Sequence, residues 1–296
     1  MTAPNVPPRE EINGDALLKE VHGGFGRYVV FPSAEAHDAV VLWCAATHCQ
    51  PAWEHAPRLT LTSPEKRCGK SRLMDIAEAI CYQPLVTVNT STAAVVRSIT
   101  DDLPTLMVDE ADTIFGTKEA AENNEDVRGI INAGHQRNRP YVRWDITSRS
   151  RELCPTFAMV MLAAIGGLPD TIMDRAIDIR MRRRSPGEKV APFRTRRDAP
   201  PFNSLRDQVH GWVRGNLGSL QDLLSCYGLI GSSRRRYANA VLRRHRAATQ
   251  DPNWLIRGPD TTRATQRHKT TKKPLRLAKT LVSAVCRMTI RNRHGL

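Results

Sequence analysis

The sequence predicts an α/β protein built on a parallel sheet with helices on both faces. Two observations predict it. From Arg58 to Met181, short apolar runs alternate with stretches of helical periodicity, which is the pattern of strands joined by crossover helices. Within that pattern a Gly-Lys-Ser step, Gly69 to Ser71, stands between the first strand and the first amphipathic helix. With 296 residues, 41% of them hydrophobic, the chain is long enough to bury a substantial core.

The elements follow in order. Residues 1–14 are polar and Pro-rich and read as a mobile N-terminus. Residues 15–57 read as a helical lead-in, because Leu17, Leu18 and Val21, then Ala39, Val40, Leu42 and Trp43, recur at helical spacing; "GGFGRYVVFPS" reads as an irregular break between them. Residues 58–184 form the α/β core. Its strands are expected at "RLTLTS" from Arg58, "LVTVN" (Leu85 to Asn89), "TLMVDE" (Thr105 to Glu110), Phe157 to Ala164 and "AIDIRM" (Ala176 to Met181). Helices are expected over Lys70 to Cys81, Thr92 to Ile99 and Asp126 to His135, and "YVRWDI" (Tyr141 to Ile146) reads as an edge strand or a hairpin arm. Residues 185–224 read as a basic, Pro-containing connector, reaching to about 201, and one or two helices from Leu205. Residues 225–296 have no sustained period and read as an irregular basic tail.

Charge is concentrated in that tail. The whole chain carries +14, yet the segment from Cys226 to Leu296 holds 17 Lys or Arg against Asp251 and Asp260, which leaves the body almost neutral. A polyanionic partner is therefore an expectation for the tail and not for the core. The seven cysteines are scattered without a C-x-x-C pair, and the N-terminus lacks the apolar stretch of a signal peptide, so a reducing cytoplasm is expected. Cys44, His48 and Cys49 lie close in sequence, but no second ligand pair accompanies them, and buried structural thiols are the expectation. The run "FAMVMLAAIGGL" is too short to cross a bilayer, and no membrane partner is expected.

Chemistry enters with "SPEKRCGKSR", Ser63 to Arg72. A phosphate loop needs backbone N–H groups at the start of a helix, a lysine and a hydroxyl for a metal. Here Arg67, Cys68, Gly69, Lys70, Ser71 and Arg72 form the candidate phosphate-binding segment, Lys70 reaching the phosphates and Ser71 the Mg²⁺. Pro64 stands where the pattern G-x-x-x-x-G-K-[ST] has its first glycine; its fixed φ can set the turn that glycine would allow. The second motif is "LMVDEAD". An apolar strand that ends in Asp-Glu suits a nucleotide hydrolase: Asp109 would hold the Mg²⁺ shell and Glu110 would polarise a water. Lys70 and Asp109 are 39 positions apart, room for helix, strand, helix and strand. The third is "LPDTIMDRAIDIRMRRR", where Arg175 is a candidate arginine finger, with a surface ion pair to Asp174 or Asp178 as the alternative. Arg182 to Arg184 read as a solvated or phosphate-contacting patch. His135, Arg137 and Arg139 read as an ordinary polar helix end, with nucleotide or nucleic-acid contact as the alternative.

In "LTSPEKRCGKSRLMD", "VDEADTIFG", "VRGIINAGHQR" and "LPDTIMDRAIDIRMRRRSPGEKVAPFR" the chain resembles the actinobacterial and phage proteins known as domain of unknown function 3631, over roughly residues 15–222. The resemblance implies a P-loop NTPase three-layer αβα core of the AAA+ or helicase-like type, with ATP and Mg²⁺ as ligands. It also implies DNA as a partner in phage or mobile-element replication, and a homo-oligomer if Arg175 acts in trans. The Ser-Pro-Glu loop entrance looks like the family's own habit. One departure from the wider AAA+ pattern is that Ala163, Ala164 and Ile165 stand where a polar sensor residue is expected. A second is the tail, which matches nothing in the family after Ser225. It is either an evolved nucleic-acid-binding extension or the product of a shifted reading frame, and its Arg-rich, acid-poor composition favours the latter. The expected function is thus an ATP hydrolase working on DNA. The alternatives are a nucleotide-binding switch or scaffold without productive hydrolysis, a degenerate truncated member of the family, and a small-molecule phosphotransferase, which the Asp-Glu pair disfavours.

Overall fold

A computed structural model describes residues 12–87, 92–99, 103–116 and 124–226. Most of the expected mobile N-terminus, the last two residues of the strand expected to end at Asn89, and the basic tail from residue 227 lie outside the described residues. Two helices, α1 (Gly14–Tyr28) and α2 (Ala34–Thr47), precede a 3-10 turn at Gln50–Ala52. There follow β1 (Arg58–Ser63), α3 (Lys70–Ile80), β2 (Pro84–Thr87), α4 (Thr92–Ser98), β3 (Thr105–Val108) and α5 (Asp112–Phe115). The chain continues through α6 (Glu125–Ala133), β4 (Tyr141–Asp145), β5 (Ser150–Cys154), β6 (Met159–Ile165), α7 (Asp170–Met173), β7 (Ala176–Arg180) and α8 (Thr195–Cys226).

Five strands make one sheet in the order β2-β3-β6-β1-β7, and every pairing in it is parallel. Strand alternation sorts β6 onto two faces: Met159, Met161 and Ala163 join one buried cluster, while Val160, Leu162 and Ala164 join the other. The first cluster also takes side chains from α1, α2, α3 and α8, such as Phe25, Trp43, Ile76 and Val209. The second takes Val95, Ile114, Ile130 and Ile172 from α4, α5, α6 and α7. Both faces are therefore covered, as the continuous apolar runs predict.

The helical lead-in is present, and its caps are legible: Asn13 Oδ1 accepts from the N–H of Asp15 at 3.1 Å, and Ser33 Oγ from that of Ala36 at 3.2 Å. The break expected over "GGFGRYVVFPS" is present but shorter: its glycine-rich first half, Gly23 to Tyr28, forms the last turns of α1, and only Val29 to Ser33 is irregular. A Cβ at Gly24 would come within 2.7 Å of the Phe202 ring, and one at Gly14 within 2.4 Å of the Trp212 indole. These glycines mark where α1 lies against α8, not where the helix ends.

One more expectation is corrected. α8 begins at Thr195, ten residues before Leu205, and runs through Pro200 and Pro201. The prolines give up two helical hydrogen bonds. Against that, the Asp198 carboxylate accepts from the N–H of Arg194 at 2.7 Å at the helix start, and Phe202, Leu205, Val209 and Val213 are buried beyond it. The 141–146 run is a hairpin arm: β4 pairs antiparallel with β5 in a separate two-stranded sheet.

Two polar clusters hold the amino ends and the middle of the sheet. Arg58, 1% exposed, donates to the carbonyls of Ala56, Ala158 and Ile131 at 3.2, 2.7 and 2.5 Å. Burial, and then the nearby Arg175 charge, pull its pKa down. Between β1 and β7, Thr60 and Thr62 each donate from Oγ1 to Asp178 Oδ1 at 2.9 Å.

Candidate functional site

Because the sheet is parallel, the chain leaves β1, β3, β6 and β7 at one edge, and there all the expected residues but Arg175 line a cleft of about 770 Å³. β6 separates β1 from β3, so the loop after β1 and the acids after β3 stand on either side of a crevice at the carboxyl ends. Open α/β sheets bind ligands in such crevices.

The 64–69 loop is shaped by two residues in the left-handed region, Arg67 at φ 65° and Gly69 at φ 87°. Glycine takes that conformation without strain, and Gly69 is the N-cap of α3. The free N–H groups of the first helical turn, with the positive end of the helix dipole, therefore open toward the cleft. Arg67, Cys68, Gly69, Lys70, Ser71 and Arg72 all line it. Lys70 Nζ donates to Ser63 Oγ, and Ser63 Oγ donates to the Glu65 carbonyl at 2.7 Å, so the lysine lies back along its own loop.

Asp109 and Glu110 fall in the turn just past β3. Ser71 Oγ donates to Asp109 Oδ2 at 3.2 Å across 38 positions of sequence, which brings the two motifs to one point. Asp109 Oδ1 accepts from the Glu110 N–H at 2.9 Å. Glu110 has φ 54°, a strained conformation for a residue with a side chain, and its exposed carboxylate lines the cleft. The turn is pinned to β6: the Ala111 N–H donates to Ala163 O at 2.7 Å, and Asp112 Oδ1 accepts from the Ile165 N–H at 3.1 Å. One turn along α3 from Ser71, burial raises the Asp75 carboxyl pKa; Arg72 opposes the shift and the Asp109 charge adds to it.

The cationic run after β7 is divided among three tasks. Arg182 forks onto Glu188 at 2.8 and 2.6 Å, which pulls the glutamate down to about 2. Arg183 pairs with Glu65 of the 64–69 loop at 2.7 Å, and Arg184 lines the cleft. Sequence reasoning missed the cleft's apolar wall, made by Tyr28, Val29, Val30, Met181 and Val190. Its only sequence signal is the apolar "YVV" at the end of α1, which is too short to have a period.

Arg175 is not brought to this edge. Its carbonyl accepts from the Arg58 N–H at 3.0 Å and its guanidinium donates to Asn132 O at 3.2 Å, both at the amino ends of the strands. Five residues of β7 separate it from the cleft edge, about 17 Å at strand rise. Arg137 is structural: it donates to Trp53 O and Gln50 O at 2.7 and 2.6 Å and lies 4.1 Å over the Phe157 ring. Cys44 and Cys49 are free buried thiols. Among the described residues no group of three or more His, Cys, Asp or Glu converges on a metal position, and no helix is long and apolar enough to cross a membrane.

The profile of one family, described as protein of unknown function (DUF3631), matches residues 180–225. That segment holds the end of β7, the Arg182 to Arg184 run and α8, and the match supports the family resemblance drawn from the sequence. Among curated proteins, none matches the chain.

Proposed function

With that family resemblance as premise, we propose that the chain is a P-loop ATPase of the AAA+ or helicase-like type that works on DNA in the cytoplasm. The observation that carries the reading is the 3.2 Å contact between Ser71 Oγ and Asp109 Oδ2, since a hydroxyl and a carboxylate oxygen at one point are what a phosphate-borne Mg²⁺ needs from a protein. Such an ion keeps phosphate oxygens and waters as its other ligands, so a cage of three acidic or imidazole groups is not required. When bound, Mg²⁺ neutralises charge on the β and γ phosphate oxygens. The chain supplies the rest. Lys70 turns from Ser63 to the phosphates, and the N–H groups from Cys68 to Arg72 cradle them at the start of α3. The apolar wall at Tyr28, Val29 and Val190 receives the base. Glu110 orients and polarises the attacking water. Arg175, at the far edge, serves only the cleft of a neighbouring copy.

Lys70→Ala is expected to abolish ATP binding, whereas Glu110→Gln keeps binding and loses turnover, both measured by calorimetry and phosphate release. Wild-type affinity in Lys70→Ala would falsify the site. A second reading, nucleotide binding without turnover, is favoured by one feature: β6 reaches the cleft with Ala163 and Ile165 and presents no polar side chain there. Tight ATP binding with no phosphate release, with or without DNA, would establish that reading in place of the motor.

A further inference from the structure

We propose that the outer face of the β4–β5 hairpin is a platform for single-stranded nucleic acid, with Trp144 stacking on a base while Arg149 and Arg151 pair with its phosphates. The inference rests on the nucleic-acid half of the proposed function and not on its nucleotide half. Register sets the face: Val142 lies opposite Leu153 and Trp144 opposite Arg151, while Arg143, Glu152 and Asp145 point to the other side. Val142, Trp144 and Leu153 are 51%, 66% and 57% exposed, and Ile146 at the tip is 83% exposed. An isolated two-stranded hairpin is marginally stable, and four large apolar groups left in water do nothing to stabilise it.

The charges narrow the occupant. Both acids of the hairpin are withdrawn from the face. Glu152 holds Arg143 at 2.6 Å, and the Asp145 carboxylate accepts from the N–H groups of Thr147 and Ser148 at 3.0 and 3.2 Å. Arg149 and Arg151 are exposed, and neither side chain has an ion-pair or hydrogen-bond partner among the described residues. A face with an indole, aliphatic neighbours and the uncompensated Arg151 opposite Trp144, with Arg149 in the adjoining turn, matches a polyanion with flat rings. A second copy of the chain fits poorly, because pairing the face with itself brings the same cations from both copies into one interface that offers no acid to pair them.

The test uses the full chain, so that the basic tail contributes equally throughout. Binding to labelled oligo-dT is followed by fluorescence anisotropy across a salt series, with heparin as a polyanion that carries no bases. Trp144→Ala is expected to weaken oligo-dT binding about tenfold and to leave heparin and ATP binding unchanged, while Trp144→Phe keeps most of the affinity. Arg149→Glu with Arg151→Glu is expected to lower the slope of log K against log salt by about 1.4. Wild-type oligo-dT affinity in Trp144→Ala overturns the proposal, as does an equal loss on heparin. Unchanged oligo-dT binding together with a lost oligomer in sedimentation makes the face an interface between copies, which also overturns it. If the wild-type chain binds no oligo-dT at all, this inference and the DNA half of the proposed function fail together, and the ATP measurements then stand alone.

Discussion

Thr62→Val tests the clamp that holds β1 against β7, and with it the two loops that flank the cleft. The Asp178 side chain is 6% exposed, so its charge depends on donors within the protein. Thr60 and Thr62 both donate to Oδ1 at 2.9 Å, while Oδ2 faces Arg180 Nε at 3.0 Å on a side chain that is 85% exposed. An exposed cation of that kind contributes little, so the two hydroxyls carry most of the stabilisation. Valine keeps the shape of threonine, which makes the loss one of hydrogen bonding and not of volume. A bond to a charged group contributes about 1.5–3 kcal/mol, which corresponds to a fall in Tm of roughly 3–12 °C for a domain of this size. Thr62 is the cleaner site, because the Thr60 hydroxyl also lies 3.5 Å from Ile177 O. The double variant Thr60→Val/Thr62→Val is expected to lose about 4 kcal/mol, since it strands a buried carboxylate. Adding Asp178→Leu removes that charge and is expected to restore most of the loss. Urea denaturation measures all four chains. A double variant within about 0.5 kcal/mol of wild type, the usual scatter of neutral substitutions, or further loss on adding Asp178→Leu, would refute the clamp.

Three further outcomes are expected. Gly134→Ala places a Cβ 2.1 Å from Thr156 O, which is backbone and cannot move aside; a loss of at least about 3 kcal/mol is expected, read as a collapse of Tm or of folded yield. The His48 ring is 4% exposed and its pKa is lowered to about 4, chiefly by burial. It is held neutral in the fold and protonates first in the unfolded chain, so stability present above pH 6.5 is lost as pH falls toward 4. The His48 share is up to about 3 kcal/mol, and His48→Gln is expected to flatten the slope of denaturation midpoint against pH, leaving the parts due to His37 and His135, also at about 4. On the proposed reading, Arg175→Ala lowers turnover about 1,000-fold at unchanged ATP affinity, and mixing it with Lys70→Ala restores turnover, because each copy supplies what the other lacks. No recovery in the mixture counts against a finger in trans.

The architecture was legible where residue type and period coincide. β1, α3, β3 and β6 follow from continuous apolar runs and from a helical face at Leu73, Ile76, Ala77 and Ile80, all buried. The loop and the acid pair were legible because their chemistry is local, each within a few residues. The misreadings came from long-range packing. Gly24 looks like a helix breaker until Phe202, some 180 positions away, occupies the space where a side chain would be. Pro200 and Pro201 look like the end of a connector because a local rule assigns them a cost and cannot see the burial of Val209 and Val213. The apolar wall of the cleft escaped for the same reason, since Tyr28 and Val190 meet only once the fold is formed.

Strand direction decides more than the motifs do. In a sheet with all pairings parallel, the chemistry carried after Ser63, Val108, Ile165 and Arg180 must appear at one edge, and whatever precedes Arg58, Met159 and Ala176 at the other. Lys70, Ser71, Asp109 and Glu110 fall on the first side of that division, and Arg175 and the Trp144 hairpin on the second. On the proposed reading, a finger and a nucleic-acid contact at the edge away from the cleft are reached by other molecules and not by the chain's own cleft. Coupling between the edges then has a short covalent route. β6 continues from β5 through residues 155–158, lies between β1 and β3, and ends at Ala163 and Ile165 in the cleft wall. Its hydrogen bonds to Ala111 and Asp112 join it to the turn that carries Glu110, so displacement of the hairpin along β6 would reach the Glu110 carboxylate through two hydrogen bonds.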